Sequence, residues 1–175
     1  MRDQPGGSVL YEVLFRGLNG AGVRYLVVGA VAVNLHGVPR MTADLDVITE
    51  LGEGNLRSFV DTVAALGYRP RAPVSAHALL DPVTRGEWRE SKGMFMFTWV
   101  HPERAYEEID LFLENPIDFA SAYARRVNVT AGDISIPIAS IPDLIALKRI
   151  AGREQDRSDI EALMQLQRLA EEGKA

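Results

Sequence analysis

Apolar positions along this chain fall into two rhythms, one of three to four residues and one of two or fewer. Val9, Leu10, Val13, Leu14 and Leu18 predict a helix over residues 8–19, ended by Asn19-Gly20 and Gly22. RYLVVG, residues 24–29, is a β-branched run that reads as a buried strand and leads straight into a short helix, AVAVNLHG, stopped by Gly37 and Pro39. DLDVIT, residues 44–49, predicts a second strand, after which Gly52 to Gly54 turn the chain into a helix over 56–66. From 71 to 92 the rhythm weakens to helical fragments around 76–80 and 84–90. MFMFTWV (94–100) and EEIDLFLE (107–114) read as strands, and a short helix is expected near 116–123. RRVNVTAGDISIPIA then forms two strands joined through Ala131-Gly132-Asp133. IPDLIALKRIAG and DRSDIEALMQLQRLAEEG close the chain as two helices, with Gly152 ending the first and Asp156 or Ser158 capping the second.

Strands interleaved with helices predict an α+β fold, a mixed sheet packed by helices and finished by two C-terminal helices. One domain over residues 1–175 suffices, its helical part running from about 140 to 175. Neither repeats nor low-complexity segments interrupt it, and the Gly- and Pro-containing first seven residues are expected to fray.

Composition narrows the class. Hydrophobic residues are 47% and charged residues 25% of the chain, a globular balance. The absence of cysteine excludes disulfides and thiolate metal sites and suits a reducing, cytoplasmic setting. The first residues lack the charged and apolar segments of a signal peptide, and no apolar run approaches the ~20 residues of a membrane span, so no membrane partner is expected. The 19 basic residues against 24 acidic ones leave a net charge of −5, which argues against indiscriminate coating of nucleic acid.

The charges that alter the picture lie inside the apolar strands. Asp44 and Asp46 are two residues apart in DLDVIT, so they share a face, roughly 7 Å apart at Cα, while Leu45 and Val47 face the other way. Asp110 interrupts Ile109, Leu111 and Phe112 in the same manner. Asp-x-Asp arises by chance, and a strand with one wet face alternates acid and apolar residues without any function. Three carboxylates on one sheet face nevertheless repel unless a cation lies between them, and oxygen-only donors suit Mg²⁺ or Mn²⁺. The preceding strand passes through Gly29 into a helix N-terminus, a natural phosphate seat about 15 residues upstream of the acids.

Gly29-Ala30, PRMTADLDV and the later EIDLF together resemble the nucleotidyltransferase superfamily of polymerase-β-like proteins. Its pattern is a Gly-Ser or Gly-Gly turn, an Asp-x-Asp or Asp-x-Glu strand and a third acid on a later strand. With IPDLIALKRIAGREQDRSDI, the chain looks more narrowly like small bacterial nucleotidyltransferases related to toxins of type IV toxin–antitoxin systems. The resemblance implies that Asp44, Asp46 and Asp110 bind divalent metal and carry catalysis, with Asp110 helping to deprotonate an acceptor hydroxyl. It implies that Gly29 and Ala30 face the triphosphate, assisted by Arg40 and Thr42, with Lys148 or Arg153 over the phosphates. Ala30 departs from the pattern, because the hydroxyl of a serine there is missing.

The reaction so implied moves a nucleoside monophosphate from a nucleoside triphosphate to an acceptor hydroxyl. The toxin resemblance points to tRNA or a protein as acceptor and to an antitoxin as partner, with Arg125, Arg126, Lys148 and Arg149 as a candidate basic groove. Aminoglycoside and lincosamide nucleotidyltransferases share the pattern, so a small cationic acceptor is the alternative. A third reading is a nucleotide- or partner-binding module without catalysis. Lys148 and Arg153, beside Asp156 and Asp159, equally fit a solvated helix junction. His36, His77 and His101 lack metal-ligand spacing, the serines lack a histidine partner, and Trp88, Trp99, Phe95 and Phe97 are expected in the core or a pocket wall, Phe95 and Phe97 sharing one strand face.

Overall fold

The computed structural model describes residues 10–173; the fraying expected of residues 1–7 and the place of Val9 in the first helix lie outside them. The elements follow the sequence rhythm closely. In chain order they are α1 (Glu12–Gly20), β1 (Tyr25–Val28), α2 (Gly29–Leu35), β2 (Asp44–Thr49), α3 (Glu53–Ala65), β3 (Arg69–Pro70), a 3₁₀ turn (Ala76–Leu80), α4 (Pro82–Lys92), β4 (Met96–Val100), β5 (Glu108–Phe112), α5 (Phe119–Ala124), β6 (Val127–Ala131), β7 (Ile134–Ile138), α6 (Ile141–Ala151) and α7 (Glu154–Glu172).

The strands form one mixed sheet of order β3-β4-β5-β2-β1-β7-β6. β2 lies between antiparallel β1 and parallel β5, and β1 continues through parallel β7. One sheet face holds the main core. Tyr25 stacks on Phe15 of α1, Trp99 meets Phe59 of α3, and Phe97 stacks on Trp88 of α4. Leu45, Val47, Ile109 and Leu111 fill the same face and are fully buried. The opposite face carries the acids, and α2, α6 and α7 pack about it, α2 against β2 and α6, α6 against α7.

Three local expectations change. β3 was not foreseen: it is two residues of sheet edge, Arg69 and Pro70, paired with Val100 and Trp99, too short to show a period. Phe95 is exposed instead of joining Phe97, because β4 begins only at Met96 and the core face of that strand is Phe97 and Trp99. Helix α7 is capped at Arg153, not at Asp156 or Ser158. Asp156 stands three residues inside, and its carboxylate accepts the Arg153 N–H at 3.1 Å. Gly152 ends α6 as expected, in the left-handed region at φ 64°. Among the described residues no helix is long and apolar enough to cross a membrane.

Candidate functional site

Strand register assembles the acids. In the parallel β2–β5 pair Asp44 lies opposite Glu108 and Asp46 opposite Asp110, and β4 sets Thr98 beside Asp110. Alternation turns all four carboxylates to one face. Asp44, Glu108 and Asp110 each offer an oxygen within 4.8 Å of the other two. Glu108 escaped the sequence reading, although its spacing from Asp110 is the same two-residue step that marked Asp44 and Asp46. It is also held from outside: Arg71, just past β3, grips it with both guanidinium nitrogens, Nη1 to Oε1 at 2.9 Å.

Asp46 sits apart from that trio, against the chain turn. Gly29 has φ +64°, and a Cβ there would overlap the Asp46 carboxylate, 2.8 Å from its Cγ. Only glycine allows strand β1 to break into α2 with the carboxylate this close. No side chain caps the first turn of α2. Burial pushes the Asp46 carboxyl up to about 7, and the Asp110 and Asp44 charges add to the shift against the pull of Arg153 and Lys148. Asp110 is raised as well, first by burial and then by Glu108 and Asp44, although the bond donated by the Thr98 hydroxyl works the other way.

A cavity of about 310 Å³ opens over these residues. Every candidate from the sequence lines it: Gly29, Ala30, Arg40, Thr42, Asp44, Asp46, Asp110, Lys148 and Arg153. Its remaining wall is largely apolar, with Met96, Phe112, Leu147 and Ile150.

Lys148 is not at a solvated junction. It is 6% exposed, its Nζ donating to Asp159 Oδ2 at 2.6 Å and to Asp156 Oδ1 at 3.3 Å. Arg40 reaches the same Asp159 carboxylate, while Arg153 Nε lies 3.3 Å from Asp156 Oδ2 and its side chain stays largely exposed. Burial raises the Asp156 carboxyl, but the Arg153 N–H and the Lys148 ammonium outweigh it and hold it below the usual range. Among the described residues the Thr42 hydroxyl makes only a long contact, 3.4 Å to the Asp44 carbonyl.

None of the other arginines named with Lys148, which are Arg125, Arg126 and Arg149, lines the cavity that Lys148 lines. Arg125 is paired with Asp143, and Arg126 lies over the Tyr123 ring at a separate depression lined by Asn19, Tyr25 and Asn128. The histidines stand outside the cavity. His36 bonds the Ala139 carbonyl, His77 bonds Asp61, and His101 lies between the Leu66 carbonyl and the Glu103 and Arg104 N–H groups.

No family model matches the chain, and no curated protein matches it in sequence. Solved structures do match in shape. The lincosamide antibiotic adenylyltransferase LnuA, in its lincomycin-bound crystal structure, is 18% identical with a TM-score of 0.56 over 91% of this chain and 99% of its own. The antibiotic-resistance factor ANT(2'')-Ia is 11% identical in its solution structure, with a TM-score of 0.57 over 89% of this chain and 81% of its own. Its crystal structure with adenylyl-2''-tobramycin gives 12%, 0.53, 94% and 96%. The chain therefore has the nucleotidyltransferase fold: a mixed seven-stranded sheet, helices about it and two helices at its C-terminal end.

Proposed function

We propose that this protein is a metal-dependent nucleotidyltransferase that moves a nucleoside monophosphate from a nucleoside triphosphate to an acceptor hydroxyl. The observation that carries the reading is the meeting of Asp44, Asp46 and Asp110 with Gly29, Arg40, Lys148 and Arg153 in one cavity. Acids alone would repel a triphosphate and cations alone would need no acid trio; together they suit a nucleotide accompanied by metal. The donors are all carboxylate oxygens; burial raises Asp46 and Asp110 first, and the neighbouring carboxylate charge that adds to the shift is what Mg²⁺ or Mn²⁺ would relieve. Asp44 and Asp110, whose oxygens lie within 4.8 Å of each other, would hold the ion, with Asp46 as a further donor beside the glycine turn. When bound, the ion offsets charge on the triphosphate and on the departing pyrophosphate.

The chain's own groups supply the rest. Gly29 and Ala30 present backbone N–H groups to the phosphates, so the hydroxyl lost at Ala30 removes one contact and not the seat. Lys148, Arg40 and Arg153 add positive charge at the cavity wall. Asp110 accepts the acceptor's proton as that oxygen attacks the α-phosphorus; the bond from the α-phosphorus to the bridging oxygen breaks, and pyrophosphate departs.

The acidic sheet face and apolar wall favour a small cationic or amphipathic acceptor. LnuA is solved bound to lincomycin and ANT(2'')-Ia in complex with adenylyl-2''-tobramycin, both small molecules. A toxin-type reaction on tRNA or a protein, paired with an antitoxin, is the second reading. It rests on the IPDLIALKRIAGREQDRSDI segment, and the dispersed Arg125 and Arg126 weaken it.

The test uses each nucleoside triphosphate labelled at the α-phosphate, with Mg²⁺ and three acceptor pools: aminoglycosides and lincosamides, total tRNA, and the protein itself. Transfer of label to one pool with release of pyrophosphate is expected, and Asp110→Asn should slow it about 100-fold or more. Triphosphate that stays intact with every pool, despite bound metal and nucleotide, would leave a binding module.

A further inference from the structure

The buried carboxylate of Asp159 ties the two C-terminal helices to a segment more than a hundred residues upstream. It accepts the Lys148 ammonium of α6 at 2.6 Å and also the guanidinium of Arg40, which lies in the segment leading to Asp44. Asp159 itself belongs to α7 and is 6% exposed. The Arg40 backbone is fixed independently from α2. The Asn34 side chain accepts the Arg40 N–H at 2.5 Å and donates to the Arg40 carbonyl at 2.6 Å.

We infer that Asp159 is a positioning residue, which locks Lys148 and Arg40 in place as paired cationic donors on the wall of the triphosphate cavity. The inference rests on the proposed nucleotide site for its function and on the carboxylate geometry for its mechanism.

A buried ammonium and a partly buried guanidinium that meet at one carboxylate would repel each other without that shared anion. Asp159 supplies that anion, and Asp156 adds a second contact to the same ammonium at 3.3 Å. Neither contact exhausts the donors. An ammonium has three N–H groups, and among the described residues two are engaged, which leaves a third for the cavity that Lys148 lines. Arg40 lines the same cavity and keeps a buried Nε–H that has no partner among the described residues. Counting Arg40, Lys148 and Arg153 against Asp156 and Asp159, the cluster carries 3 − 2 = +1, the sign a phosphate chain requires. Asp159 does not line the cavity, so it acts only through the residues it holds.

The experiment has two arms on the full chain, wild type against Asp159→Asn. The first measures binding of Mg²⁺ alone and of magnesium tripolyphosphate, which carries three phosphates and no base. The second follows reductive methylation of Lys148 by mass spectrometry, a readout that needs no ligand. Asp159→Asn should weaken tripolyphosphate at least tenfold, leave Mg²⁺ alone within twofold and speed Lys148 methylation at least fivefold. Its effect on tripolyphosphate should shrink in a Lys148→Met background and vanish in a Lys148→Met/Arg40→Met background. Tripolyphosphate affinity unchanged by Asp159→Asn while Lys148→Met weakens it would overturn the inference. So would a methylation rate that does not move.

If wild type binds no tripolyphosphate, the nucleotide reading fails and takes the functional half of the inference with it. The methylation arm still decides whether Asp159 holds Lys148. Should Asp159→Asn not fold, Asp159→Glu takes its place. It keeps the charge but shifts it by one methylene, and a loss of at least threefold in tripolyphosphate affinity is expected; no loss contradicts the positioning role.

Discussion

Asp46 and Gly29 show how closely the site is built into the backbone. The Asp46 carboxyl is raised from 3.8 to about 7 in the folded protein, so between those values the folded state holds a proton that the unfolded chain has released. Stability contributed at this position is therefore greatest below about pH 4, falls as pH rises through the window, and is fully lost above about 7. Asp46→Asn removes the charge, and the metal-free variant should gain about 1–3 kcal/mol at pH 8 and almost nothing at pH 4, the range discounting for a half-buried group. Urea unfolding at the two pH values checks this; equal gains at both would refute it. Gly29→Ala acts in the other direction. The positive φ and the overlap with the carboxylate predict a loss of about 1–3 kcal/mol by the same assay, together with weakened metal binding. Alternation was enough to expose Asp44, Asp46 and Asp110 in the sequence. It marked Glu108 equally, but the grip of Arg71, 37 residues away, is a tertiary fact that no local pattern carries.

At the scale of elements, the α6–α7 junction carries the cationic side of the site. Gly152 turns the chain at φ 64°, and Asp156 receives the first N–H of the α7 cap, so Lys148 and its carboxylate partners face one another across a short turn. Gly152→Ala should cost about 1 kcal/mol in thermal unfolding and weaken magnesium tripolyphosphate by distorting that turn. An unchanged affinity would show that the junction only joins the helices. The long helices and central strands were legible because each repeats its period over several residues, and Gly152 was legible as a stop. β3 and the start of β4 were not: two residues have no period, and Phe95 looks like strand until the sheet register excludes it. The burial of Lys148 was also hidden, since the charged run around it reads like any solvated face.

For the whole molecule, interleaved strands and helices fixed the class of fold but not the strand order, because periodicity says nothing about which strands pair. That order is what matters, since placing β2 between β1 and β5 brings the glycine turn and the acids together. A ligand that binds only the assembled site should stabilise the entire fold. Magnesium with the preferred triphosphate at 100 times its Kd is expected to add about 2.7 kcal/mol, raising the thermal midpoint of wild type. The Asp44→Asn/Asp46→Asn double variant should show no such rise.

Calorimetric titration of each nucleoside triphosphate, with and without Mg²⁺, into wild type and that double variant tests the central claim most directly. One triphosphate should bind wild type only when Mg²⁺ is present and should not bind the variant. Binding by the folded variant equal to wild type, or none by folded wild type at millimolar triphosphate, would contradict the claim that these aspartates hold a metal-bound nucleotide.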